Sequence, residues 1–269
     1  MNILPNAYYN YLKDAKRDYQ CSKEKICHII KDIYHDLGGN VGHRFMKVFL
    51  EREQIFLSKT TIHKYMNQEM HLYAVSRHKK LRYKKIPAHK QFPNLLKQNF
   101  VATEPNRVWC TDFTYLYLSN GMVRYNCTII DLFDRSVVAS ENGNRITSTL
   151  AIRTLTKALY EHKCNPSKLL LHSYQGVQFS SLEFTSFCSS KGITQSMSRA
   201  VMPYDNAPME RYYNTLKAEL INQYHFHTDK ELNDAVKNFT YDWYNQIRPH
   251  SYNNYLTPHE KRYSLGLIR

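Results

Sequence analysis

Along residues 1–75 the apolar positions fall at helical spacing. Ile26, Ile29, Ile30 and Ile33 form one stripe, and Leu37-Gly38-Gly39-Asn40 ends it. Phe45, Met46, Phe49 and Leu50 form a second stripe. In the stretch from Leu57 to Met66, Ser58 stands where an N-cap belongs and opens a short helix. Together these make the outline of a helix-turn-helix, with Lys59, Thr60, His63 and Lys64 on one polar face. A plain helical bundle with a solvated face has the same pattern, so periodicity leaves both open.

From residue 107 the period changes from that of a helix to that of a strand. Residues 108–117 are rich in β-branched and aromatic side chains, Ser119-Asn120-Gly121 is a hairpin turn, and residues 122–130 make the return strand. Asp131-Leu132-Phe133-Asp134-Arg135 turns again into a third strand over 136–139. Thr147 or Ser148 caps a helix carrying Leu150, Ile152, Leu155, Ala158 and Leu159. Pro166 precedes Leu169-Leu170-Leu171-His172, which limits that run to a short buried strand. A helix over 182–190, a strand near Ile193 and further helices complete the order. Three antiparallel strands followed by alternating helices and strands predict an α/β fold with a mixed sheet.

Charge adds a partner to this picture. Against 23 acidic residues stand 37 Lys and Arg, so the 269-residue chain carries 37 − 23 = +14. A cationic excess of this size points to a polyanion, most commonly nucleic acid, because each cation placed on a phosphate releases a counterion. Arg77, Lys79, Lys80, Arg82, Lys84, Lys85 and Lys90 concentrate seven cations in fourteen positions. Such a block reads as a solvated linker, a nucleic-acid arm, or both. Hydrophobic residues at 42% exclude wholesale disorder. No apolar run is long enough for a transmembrane helix, and the polar start resembles no signal peptide, so a cytoplasmic location is expected. The six cysteines have no C-x-x-C spacing; Cys110, Cys127 and Cys188 read as small core residues.

Two acids stand out from this background. Asp112 lies mid-strand among apolar neighbours, where a carboxylate is costly unless paired or bound to a metal. Glu210 follows Asp205-Asn206-Ala207-Pro208-Met209, with Asp and Asn suited to capping and Pro to the first turn of a helix. Met209, Tyr212, Tyr213, Leu216 and Leu220 make that helix's core stripe, and Glu210, Asn214 and Lys217 share another side. On these residues alone, that side is an ordinary solvated face.

The segments in their order resemble bacterial insertion-sequence transposases with an integrase catalytic core, members of the Asp-Asp-Glu transposase and retroviral integrase superfamily. The resemblance is closest to the downstream-frame product of the class made from two overlapping frames. Gly42-His43-Arg44 with 58–66 resembles the family's helix-turn-helix. Pro93-Asn94-Leu95-Leu96 and Phe100 resemble the lead into the core, and Trp109-Cys110-Thr111-Asp112-Phe113-Thr114-Tyr115 the strand of the first acid. Gln195-Ser196-Met197-Ser198-Arg199 and Asp205-Asn206-Ala207-Pro208-Met209-Glu210 resemble the third-acid region. Tyr244-Asn245, Arg248-Pro249-His250 and Thr257-Pro258 resemble the C-terminal signature.

The resemblance implies a ribonuclease-H-like mixed five-stranded sheet with helices on both faces, preceded by an all-α helix-turn-helix region. It implies a helical region over 1–75, a basic linker over 76–100, a catalytic core over 101–225 and a C-terminal helical extension over 226–269. Two Mg²⁺ or Mn²⁺ ions held by three carboxylates would serve strand cleavage and transfer. Asp112 matches the first acid and Glu210 the third, both as catalytic residues and metal ligands. The second acid belongs in a His-Ser-Asp-x-Gly pattern, and here the chain reads His172-Ser173-Tyr174-Gln175-Gly176. A neutral phenol cannot replace a carboxylate that bridges cations, so this copy is expected to be impaired. A second departure is Ala200-Val201, where the family has Lys-Gly. Expected DNA contacts are Lys59, Thr60, His63, Lys64, the basic run, Arg199, Asn214, Lys217, Arg248 and His250. Double-stranded DNA, a homo-oligomer on that DNA and an upstream-frame product are the expected partners. A relic that binds DNA without cutting it is the competing expectation.

Overall fold

The computed structural model describes residues 15–74, 91–200 and 202–264. The basic run from Arg77 to Lys90 and the departure at Val201 lie outside the described residues. Contacts divide the chain into two units, Met1–Ser76 and Arg77–Arg269.

The first unit contains α1 (Ala15–Asp36), α2 (His43–Arg52) and α3 (Lys59–His63), which widens into a π-helical turn over Lys64–Glu69. Gly38 and Gly39 reverse the chain after α1 at φ of 62° and 74°, a conformation that favours glycine. Ile30, Met46, Leu50, Ile62 and Met66 are fully buried and form its core. Ser58 Oγ accepts the Thr61 amide at 3.0 Å, the N-cap expected of it. With Ile62 turned inwards, Lys59, Thr60, His63 and Lys64 are left exposed.

The second unit is built on β1 (Val108–Tyr117), β2 (Val123–Asp131), β3 (Val137–Gly143), β4 (Leu170–Ser173) and β5 (Thr194–Met197). Their order across the sheet is β3-β2-β1-β4-β5; the first three run antiparallel, and β4 and β5 parallel to β1. Gly121 at φ 81° makes the hairpin turn, closed by Leu118 N–H to Met122 O at 3.0 Å. Strand alternation sends Trp109, Cys127 and Ile129 to one face, against α4 (Ser148–Glu161), α5 (Val177–Ser180) and α6 (Leu182–Ser190). Thr147, the first of the two residues expected to cap α4, accepts Leu150 N–H. Cys110 and Ile130 face the other way, against α7 (Ala207–Leu216) and the segment after α8 (Asp229–Asn238). The sheet is therefore covered on both faces. Cys110, Cys127 and Cys188 lie in these cores, where burial pushes each thiol up to about 12.

Segments on either side of the sheet complete the unit. Leu96 is buried with Cys110 and Met209, and the Leu95 amide donates to Ser196 Oγ at 2.9 Å. At the far edge, Asn245 pairs with both the amide and the carbonyl of Val137, at 2.8 and 2.9 Å. That amide side chain stands in for a neighbouring strand. From α9 (Pro258–Tyr263), buried Arg262 reaches Asp131 at 2.7 Å, Ser136 Oγ at 3.0 Å, and Asp134. Among the described residues no helix is long and apolar enough to cross a membrane.

Candidate active site

Parallel pairing of β1 with β4 sets Thr111 opposite Ser173. One residue further on, Asp112 and Tyr174 therefore stand side by side where β4 ends. Helix α7 crosses this point. Asn206 Nδ2 donates to Thr111 O at 3.3 Å, and the Tyr213 hydroxyl donates to Asp112 O. Glu210 lies in the stretch between these two anchors, four residues after the first and three before the second. The two contacts hold the stretch that carries Glu210 against β1 at Thr111 and Asp112. All three side chains, Asp112, Tyr174 and Glu210, are half-buried. Asp112 also accepts the amide of Phe113 at 2.8 Å, which orients its carboxylate.

Behind this trio, His172 is wholly buried between Ser196 Oγ at 2.9 Å and Ser198 Oγ at 3.1 Å. Burial pulls the imidazole down to about 4, so it is neutral at pH 7, one ring nitrogen donating and the other accepting. It ties β4 to β5 two residues before Tyr174. Asp205, also fully buried, accepts from Asn94 at 2.9 Å, Gln98 at 2.8 Å, and the Arg199 amide and Nε at 2.9 and 3.0 Å. The Arg199 guanidinium is the main reason its carboxyl lies well below the usual range. This node fixes the loop that delivers α7.

The structure gives Arg248, His250 and Arg199, three of the expected DNA contacts, partners within the protein, and one expected cap is not made. Arg248 is buried and grips Glu219 through Nε and Nη2, at 2.9 and 2.8 Å, while Trp243 Nε1 holds the same carboxylate at 3.2 Å. A guanidinium closed into such a pair does not reach a phosphate. His250 accepts the Tyr252 amide at 3.2 Å and packs edge-on to Tyr244; burial first, then nearby Arg248, pulls it down to about 3. It is a neutral cap rather than a cation. Arg199 is exposed but its charge is matched by Asp205. Neither Asp205 nor Asn206 caps α7 through its side chain, since both are engaged elsewhere. Asn214 and Lys217 are half-buried on the side of α7 that carries Glu210. Their partners reveal these roles, Asp205 six residues from Arg199 and Glu219 29 residues from Arg248, and no local pattern announces them.

The donor set decides what this site can hold. Two carboxylates and a phenol do not fit a pair of divalent ions, which require a carboxylate between them. No group of three or more His, Cys, Asp or Glu is placed to bind a metal among the described residues. Three other acids of this unit are already engaged. Asp205 is clamped as above, and Asp131 and Asp134 are closed around Arg262.

A mixed 3-2-1-4-5 sheet with an acid on its first strand and another on the helix crossing it defines an integrase core of ribonuclease-H type. The integrase core domain profile matches residues 102–203, and a second integrase core domain profile matches residues 191–258. The chain is 35% identical over 240 residues to the transposase of insertion sequence element IS904 from Lactococcus lactis, covering 89% of this chain and 94% of that one. It is 32% identical over 262 residues to InsK of insertion sequence element IS150 from Escherichia coli K12, covering 97% and 90%. The fold also matches a chain of the simian T-cell lymphotropic virus intasome, with a TM-score of 0.50 at 18% identity over 83% of this chain and 72% of that one. The chain belongs to the bacterial insertion-sequence transposases with an integrase core domain.

Proposed function

We propose that this chain binds the DNA ends of an insertion sequence and that its strand-cleaving and strand-joining activity is impaired. What supports this reading is Tyr174, a phenol one residue past the end of β4, next to the position of Asp112 on the paired strand β1. A phenol there is neutral at pH 7 and fills space that a carboxylate and cation would share. Losing one member of a unit that acts together costs several decades of rate. In the family's chemistry Mg²⁺ or Mn²⁺ supplies charge stabilisation to the phosphate; in this chain Asp112 and Glu210 are the two carboxylates that would be left to hold it.

DNA binding rests on other residues. Lys59, Thr60, His63 and Lys64 form the reading face of α3, and the run from Arg77 to Lys90 follows the backbone; Asn214 and Lys217 are further contacts near Glu210. A chain that keeps these and lacks one acid occupies element ends without cutting them, and so competes with an active relative in the cytoplasm. Assembly as a homo-oligomer on DNA, and fusion to an upstream-frame product, belong to the same reading.

The test is strand transfer with oligonucleotides carrying the element's ends, in Mg²⁺ and in Mn²⁺, with any upstream segment supplied. The unmodified chain should be inactive, Tyr174→Asp should raise activity, and adding Asp112→Asn or Glu210→Gln should abolish it. Robust activity of the unmodified chain that survives Asp112→Asn would overturn the reading.

A further inference from the structure

Beyond the reacting residues, β1 continues into a feature that neither the fold nor the acids require. The face of the sheet covered by α4, α5 and α6 is closed by Phe113 on Phe179, ring centres 5.2 Å apart, and by Phe179 on Phe184 at 5.4 Å. Past that point the same face carries Tyr115 and Tyr117 on β1 and Tyr125 on β2. Register places Tyr115 directly opposite Tyr125, and their rings meet edge to face at 5.3 Å. Tyr115 is 40% exposed and Tyr117 52%. The opposite face of the same hairpin is shut: Leu116 and Leu118 are buried against Phe226, Leu232 and Val236. One face of the hairpin is thus a core and the other a row of half-exposed phenol rings.

We infer that Tyr115, Tyr117 and Tyr125 form a stacking platform for unpaired bases of the DNA on which this chain acts. A phenol ring offers a flat π face to any base, whatever its identity, which suits a surface without sequence preference. The platform lies on the face of the sheet opposite Asp112, because Tyr115 and Tyr117 stand three and five residues, odd steps, along β1 from it. The two β1 rings are two residues apart, about 7 Å at strand rise and the length of roughly two stacked nucleotides. Exposed Arg145 follows two residues after the Gly143 that pairs with Tyr125, and the chain's +14 charge favours a polyanion. A second copy of the chain is the weaker occupant. Two half-exposed tyrosines offer on the order of 200 Å², against ~800 Å² per partner in a stable interface. The inference rests on the DNA-binding part of the proposed function and not on its account of Tyr174.

The experiment uses the full chain with a 5-iododeoxyuridine-substituted oligothymidine and, separately, an unrelated duplex of equal length. Irradiation should join the single strand to Tyr115, Tyr117 or Tyr125, mapped by mass spectrometry of the digested adduct. Tyr115→Leu with Tyr117→Leu should weaken single-strand affinity about tenfold or more and leave duplex affinity within twofold. Tyr115→Phe with Tyr117→Phe keeps the rings and should bind like the parent. Unchanged single-strand affinity in the folded Leu variant would overturn the platform while leaving duplex binding intact. A loss of dimer mass by light scattering in the Leu variant, without loss of single-strand affinity, would assign the surface to a second copy instead. A chain that binds neither strand nor duplex would overturn this inference together with the proposed function.

Discussion

Replacing Arg262 by Leu should destabilise the second unit by about 3–5 kcal/mol. Arg262 donates to Asp131 at 2.7 Å and to Ser136 Oγ at 3.0 Å, and pairs with Asp134. Both aspartates are 0% exposed, so removing the guanidinium strands two carboxylates in a place water does not reach. Part of their demand is met by backbone amides: Asn106 and Phe133 donate to Asp131, and Ser136 to Asp134. These bonds keep the cost in the ordinary range for breaking a buried pair rather than above it. For a unit of this size that is a fall of roughly 6–20 °C in midpoint. Burial, then the neighbouring Asp134, already pushes Asp131 up to about 6, with Arg262 opposing. Without Arg262 it must rise further. A carboxyl raised in the folded state binds more protons there than in the unfolded chain, so its cost fades as pH falls. The deficit of Arg262→Leu should therefore be largest near pH ~7.5 and smaller near pH ~5.5. Urea unfolding followed by tryptophan fluorescence reads this directly, because both tryptophans, Trp109 and Trp243, lie in the second unit. A deficit below about 1 kcal/mol at pH ~7.5, or one that grows as pH falls, would refute the buried-charge argument.

Three further outcomes can be checked. His172, held down to about 4 by burial, binds fewer protons folded than unfolded between about pH 4 and 6.5, so its contribution is present above that window and lost as pH falls through it. In His172→Gln the pH slope of urea-derived stability there should drop by up to about 1.4 kcal/mol per pH unit; an unchanged slope would place the imidazole in water. Arg248→Met should cost about 3–5 kcal/mol through stranded Glu219 and leave the salt dependence of DNA binding alone; the reverse pattern would restore Arg248 as a phosphate contact. Replacing Lys79, Lys80, Lys84 and Lys85 by Ala should flatten the log–log salt slope of duplex binding, by about 0.9 for each phosphate no longer neutralised, as measured by titration at several salt concentrations. An unchanged slope would make the run a linker only.

The sequence by itself determined the elements, and the reason is that their signals are local. Periodicity, the Ser58 and Thr147 caps, the Ser119-Asn120-Gly121 turn and the strand-length apolar runs each act within a few residues. Asp112 stood out locally as a mid-strand carboxylate, whereas Tyr174 and Glu210 were singled out by the resemblance to a family. What brings the elements that carry them together is non-local: the parallel pairing of β1 with β4, and α7 pinned to β1 by Asn206 and Tyr213. Tertiary structure alone decided the fate of the charges. Arg248 and Arg199 have the residue type of a DNA contact, yet Glu219 and Asp205 engage both. Asp205 and Asn206 have the residue type of a helix cap, yet one anchors Arg199, Asn94 and Gln98 and the other reaches Thr111. Arg262 meets Asp134 across 128 positions. An ion pair depends on where two side chains end up and on how much water is left between them, and both are properties of the packed chain rather than of either segment.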